Sequence, residues 1–305
     1  MRADDLRTTR RPAMGAEVVL TTNASEMAVH AALTIVATLE QRWSRFLPDS
    51  ELSRINAADG PAVARPSTAR IIEIALAGRT LTGGWFDPTR GLDLVAAGYA
   101  GDRAWDDAGP VPHRIDDVTV DGDSGLVHVP EGTAIDLGGI AKGWTADVAA
   151  SLLFEAGATH AGASIGGDTR IRSRTRALVE IESPHPDRSD APALVGLRDG
   201  GVAVSGPTKR RTDDGRHHLI DPSTGQPAAA PRVAAVIAAS AAGAEMLATA
   251  ASVAPWLEAR ALVERAGATA WLVEADGSLT TVGPTERFLL DDGWLAEPAR
   301  REWAL

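Results

Sequence analysis

At 305 residues and 44% apolar content, the chain is long enough to bury a substantial core on its own. A net charge of −11 with a pI near 5.1 argues against a surface built to neutralise nucleic-acid phosphates or anionic lipid, so any anionic ligand must be held by local geometry. The absence of cysteine excludes disulfides, thiolate zinc sites, a cysteine nucleophile and a lipid anchor on an N-terminal cysteine.

In chain order, residues 1–12 lack the apolar centre of a signal peptide and are expected to be flexible, and no run reaches the ~20 apolar residues of a membrane span. Both readings predict a cytoplasmic protein without a membrane anchor. GAEVVLTT (15–22) predicts a first strand, and Ser25 caps a helix from about Glu26 to Phe46 that PDSELSRIN closes. A second helix, about Ser67 to Thr82, ends at Gly83-Gly84, and WFDPTRG follows as a turn-rich loop. Residues 92–133 read as short strands around charged, Gly-rich turns. Ala134 and Ile135 end a strand, and Ile140, Trp144, Val148 and Leu152 repeat at helical spacing as far as Leu153. ASIGGDTRIRS is a strand broken by a glycine pair, and further strands are expected at 177–182, 194–197, 201–205 and 232–239. A helix from Ser240 to about Val253, another near 255–266 and strands near 269–274 and 278–282 complete the run. Without a regular βαβ period the pattern favours α+β in one domain spanning 1–305.

Several of these corners carry chemistry. Asp136 to Lys142 sits on a strand-to-helix turn, where glycines admit a polyanion to the backbone and the free N–H groups of a helix start favour negative charge. A phosphate fits that turn, and so does the plainer reading that Gly138 and Gly139 serve only tight packing. HHLIDPSTG sets His217 and His218 on opposite faces of a strand before an Asp-Pro turn. A histidine beside Asp221 can serve as a base, which makes His218 and Asp221 catalytic candidates; a polar strand end with an ordinary turn is the alternative. Glu245 and Thr249 lie one turn apart on a helix and suit a hard cation such as Mg²⁺, although with Ser252 they also describe a solvated face. Asp87, Asp168 and Asp221 each occupy a Gly- or Pro-punctuated corner of the kind that carries active-site loops.

Taken in order, Met14-Gly15, FLPDSELSRIN, FDPTRG, AIDLGGIAKGW, SIGGDTR, AVSG, HHLIDPSTG and the helix with Glu245 and Thr249 resemble the FAD:protein FMN transferase family, also called the ApbE family. The resemblance implies an ApbE-like, T-fold-related domain with mixed or antiparallel sheets, packed helices and an FAD cleft between two subregions. It implies a Mg²⁺-dependent cut of the FAD pyrophosphate that joins FMN to a threonine or serine of a target flavoprotein and releases AMP. By the same resemblance Met14, Phe46, Phe86 and Asp87 contact FAD, and Asp136 and Lys142 line the cleft. Gly139 offers a carbonyl to Mg²⁺, Glu245 and Thr249 bind the metal, and His218 is the base. Glu245 stands where the family has aspartate, Ser164 where it has asparagine, and Pro207 where an acidic residue or threonine is commoner; the first change means that the ion sits differently or is reached through water. Hydrolysis of FAD to FMN and AMP, or FAD binding without catalysis, would use the same residues.

Overall fold

Short polar side chains set where the helices begin. Ser25 accepts a hydrogen bond from the Ala28 amide and starts α1 (Glu26–Trp43), which buries Ala28, Ala32, Val36, Leu39 and Trp43 along one stripe. The computed structural model of the chain describes residues 6–99, 117–181, 192–207 and 217–293. Before α1 lie β1 (Arg7–Ala13) and β2 (Ala16–Thr22), paired from Arg7↔Thr22 to Ala13↔Ala16. From Arg7 onward the N-terminal segment satisfies its backbone on β2. The hairpin turns through Met14 (φ +56°) and Gly15 (φ +64°), the positive φ pair that two-residue turns between twisted strands demand. α1 stops at Trp43, three residues before the predicted end, with Ser44 at its C-cap.

Next come α2 (Glu51–Asn56), started by Ser50, then β3 (Ala62–Val63), α3 (Pro66–Leu81) with proline in its first turn, and α4 (Gly91–Ala96). Neither α2 nor α4 is anticipated from the sequence. β4 (Thr119–Asp121) and β5 (Leu126–His128) form a small antiparallel sheet with β3; the rest of the expected strand-rich stretch, 100–116, lies outside the described residues. The strand expected at Ala134-Ile135 reduces to one bridge between Ala134 and Arg90.

α5 (Ala141–Glu155) leads into β6 (His160–Ile165), β7 (Asp168–Ile181) and β8 (Ala193–Ser205). The predicted fragments at 194–197 and 201–205 are one strand, held continuous by pairing with β7 across a register shift between Arg172 and Ala177. β9 (Ile220–Asp221) and β10 (Gln226–Pro227) make a short hairpin. β11 (Val233–Ala238), α6 (Ala241–Val253), α7 (Trp256–Arg265), β12 (Thr269–Val273), β13 (Leu279–Val282) and β14 (Leu289–Asp291) complete the described chain. The large antiparallel sheet runs β1-β2-β6-β7-β8-β11-β12-β13, with β14 added to the far half of β8.

Two glycines fix how α6 meets its neighbours. A Cβ on Gly201 of β8 would lie 2.2 Å from the Ala241 amide nitrogen, and one on Gly143 of α5 would lie 2.4 Å from the Ala241 carbonyl oxygen. Backbone thus touches backbone at the start of α6, with Ser240 as its cap. This contact carries Glu245, on the next turn of α6, to the first turn of α5.

Candidate active site

A cleft of about 570 Å³ opens between one end of the large sheet with α5 and α6 and the smaller region built on α2, α3 and α4. That volume is within the usual range of small-molecule sites. Met14, Phe46, Phe86, Asp87, Asp136, Gly139, Lys142, His218, Glu245 and Thr249 all line it. Asp221 does not. Its carboxylate accepts from the Ser223 amide at 2.8 Å and the Ser223 hydroxyl at 2.7 Å, so it caps its own turn instead of orienting a histidine.

At the floor, the Lys142 ammonium bridges the carboxylates of Asp168 and Glu245, all three side chains being 13% exposed or less. The other Glu245 oxygen, Oε2, accepts from the Gly143 amide at 2.8 Å, which the backbone contact of α5 with α6 makes possible. Burial, and after it the neighbouring Asp168 carboxylate, push the Glu245 carboxyl up to about 8, against the pull of Lys142 and of that amide. The expectation that Glu245 lies on a solvated face is excluded. One turn on, the Thr249 hydroxyl lies 3.5 Å from that of Ser205, and a Cβ on Gly139 would come 3.5 Å from Thr249 Oγ1.

The AIDLGGIAKGW turn is braced on both sides. Asp136 pairs with Arg45 at 3.0 Å and accepts from the Gly138 amide at 2.6 Å, so its carboxylate holds the turn's shape. Arg45 lies in turn 4.2 Å from the centre of the Phe46 ring, which is 62% exposed at the cleft mouth. Phe86 differs: it is 3% exposed and packs where a Gly139 side chain would be, so it shapes the turn from behind. Asp87 is buried beside Arg79 and Arg90 and accepts from the Thr89 amide and hydroxyl, a corner-stabilising arrangement.

His217 and His218 are not on a strand, which begins only at Ile220, yet they do diverge. The His217 ring reaches the Ala228 carbonyl at 3.0 Å, while His218 faces the cleft with its ring edge to Tyr99 at 6.1 Å between centroids. Arg45, Arg90 and Tyr99 also belong to the site and were not foreseen. Arg45 meets Asp136 from a distant part of the chain, a pairing with no local signal.

Residues 14–273 match the ApbE family. The chain belongs to the ApbE family. It is 32% identical over 236 residues to the FAD:protein FMN transferase of Treponema pallidum, covering 66% of this chain and 64% of that protein. With the FAD:protein FMN transferase of Vibrio cholerae it shares 29% identity over 211 residues, 63% of each chain. The matched part thus spans just under two thirds of the length of these curated relatives. Among solved structures, the ApbE protein of Thermotoga maritima superposes with a TM-score of 0.82 at 26% identity, over 94% of this chain and 100% of that one. The flavin transferase ApbE from Vibrio cholerae gives 0.78 at 23% identity over 93% and 99%, which establishes the shared fold.

Proposed function

We propose that this ApbE-family chain transfers FMN from FAD to a threonine or serine hydroxyl of a target flavoprotein and releases AMP. The observation that carries the proposal is convergence: eight separated segments within the family match supply side chains to one cleft of cofactor size. In that reading the acceptor oxygen forms a bond to the FMN phosphorus as the bond to the AMP phosphate oxygen breaks. His218 takes the hydroxyl proton, and AMP leaves with the bridging oxygen. Phe46 is the exposed aromatic surface against which a flavin or adenine ring stacks.

The Thr249 hydroxyl and the Gly139 carbonyl are oxygens of the type Mg²⁺ takes, whereas both Glu245 oxygens are held, one by Lys142 and one by the Gly143 amide, so Glu245 would join the ion only by exchanging one of those partners. No group of three His, Asp or Glu that could hold a metal occurs among the described residues, so neutral oxygens and substrate phosphate would complete the shell. When bound, the ion supplies neutralisation of pyrophosphate charge. The chain's own share is to keep Lys142 among the acidic side chains at the floor of the cleft.

The test is incubation with FAD, Mg²⁺ and a candidate acceptor flavoprotein, following AMP by chromatography and the acceptor by mass. AMP together with an acceptor heavier by one FMN phosphoryl unit is expected. AMP with free FMN and an unmodified acceptor would make the chain a hydrolase, and no AMP at all would leave only binding.

A further inference from the structure

The segment with His218 is tied to the opposite wall of the cleft through the side chain of Arg90. Arg90, the residue before α4, lines the cleft and sends its guanidinium across to the β9–β10 hairpin. Its Nη2 donates to the Pro222 carbonyl, its Nη1 donates to Asp93 at 3.0 Å, and its Nε lies 3.6 Å from the buried Asp87 carboxylate. Asp93 meets the same hairpin from the other side. A Cβ on Gly225 (φ +69°) would come 3.0 Å from the Asp93 carboxylate, so glycine is what allows that approach. The backbone of Arg90 is anchored as well: it bridges Ala134, and the next amide, Gly91, donates to the Ala134 carbonyl at 3.1 Å. The Asp136 amide donates to the Pro88 carbonyl at 2.7 Å, which ties this corner to the phosphate-side turn.

We infer that Arg90 is a positioning residue that sets the distance between His218 and the Asp136–Lys142 turn. The inference rests on His218 being the base. The two Nη atoms of Arg90 are committed to Asp93 and the hairpin carbonyl before any ligand arrives, while its buried Nε, 3.6 Å from Asp87, makes no hydrogen bond among the described residues. A carbonyl-directed guanidinium fixes a backbone more tightly than an ammonium does, because its fork holds two acceptors in one plane. Pro222 lies four residues beyond His218, so a slack hairpin displaces the ring by a fraction of its own size. Misplacement of a catalytic group by about 1 Å costs on the order of 10² in rate.

The test compares Arg90→Ala, Arg90→Lys, His218→Ala and the double variant Arg90→Ala/His218→Ala, measuring FAD affinity, kcat for FMN transfer and thermal melting. Arg90→Ala is expected to lower kcat about 10²-fold while FAD affinity changes less than threefold, and added guanidinium chloride at millimolar concentration is expected to restore part of the rate. In the His218→Ala background the Arg90 change is expected to add nothing, since the group it positions is gone. Arg90→Lys covers the case in which the alanine variant fails to fold; it is expected to melt near the parent and still lose at least tenfold in kcat. Unchanged kcat in a folded Arg90 variant, full additivity with His218→Ala, or a fall in FAD affinity matching the fall in rate would each overturn the inference. A His218→Ala variant with full activity would instead remove the base reading, and the inference with it.

Discussion

Lys142 is one of two lysines in the chain, and it lies where two buried carboxylates meet. Asp168 arrives on β7 after the Gly166-Gly167 turn, and Glu245 arrives on α6; neither has another cation in contact among the described residues. Removing one partner of a buried ionic cluster leaves charge without compensation, typically at a cost of 3–5 kcal/mol. Proton uptake by one of the two carboxyls softens that cost, so Lys142→Met is expected to lose about 3 kcal/mol in urea unfolding at neutral pH. The double variant Lys142→Met/Glu245→Gln deletes the cation together with one of the two acidic groups that share it and is expected to regain part of the loss, a coupling that distant sites do not show. A loss below about 0.5 kcal/mol in the single variant would mean that solvent, not the lysine, compensates the carboxylates.

At the scale of elements, the contact of α5, α6 and β8 is built by backbone, and its tolerance is correspondingly small. Gly143→Ala places a methyl 2.4 Å from the Ala241 carbonyl oxygen, too close for any rotamer change to relieve, so the two helices must separate. The expected loss is about 1–3 kcal/mol, and the hydrogen bond from the Gly143 amide to Glu245 lengthens with the gap. Gly60→Ala, with nothing within 4 Å of its Cβ, is the control and is expected to stay within about 0.5 kcal/mol. Equal melting of the two variants would show that the helix pair adapts freely. This contact also marks the limit of what sequence discloses. The Ser25 and Ser240 caps and the apolar stripe of α1 are local, and they read correctly. β7 and β8 read as fragments because the polar run at 173–176 in β7 and Arg198-Asp199 with Gly200-Gly201 in β8 interrupt the apolar pattern, whereas the strands persist by pairing with each other. The site is legible as residue types at corners. Its wiring is not: the Lys142 partners lie 26 and 103 residues away, and Asp221 looks like a histidine's partner until its carboxylate is seen to close its own turn.

At the scale of the molecule, the cleft is lined from Met14 to Val253, by the first hairpin, the end of α1, the 85–90 corner, the α5 turn, the β9–β10 region and α6. No single segment owns it. A ligand seated there touches both the large sheet with its helices and the region of α2 to α4, so it opposes the separation of parts that unfolding must separate. FAD bound to the native state alone stabilises by RT ln(1 + [L]/Kd), about 2.7 kcal/mol at a hundredfold excess over Kd. For domains of this size each kcal/mol moves the midpoint by roughly 2–4 °C, so saturating FAD is expected to raise Tm by about 5–10 °C. The shift is expected in one cooperative transition, and AMP, which lacks the flavin half, is expected to give a smaller one at the same concentration. Differential scanning calorimetry with and without FAD decides the matter. Two transitions of which only one moves would place the cleft within a separately melting unit, and an unmoved Tm with FAD demonstrably bound would mean that the ligand holds the unfolded chain equally well.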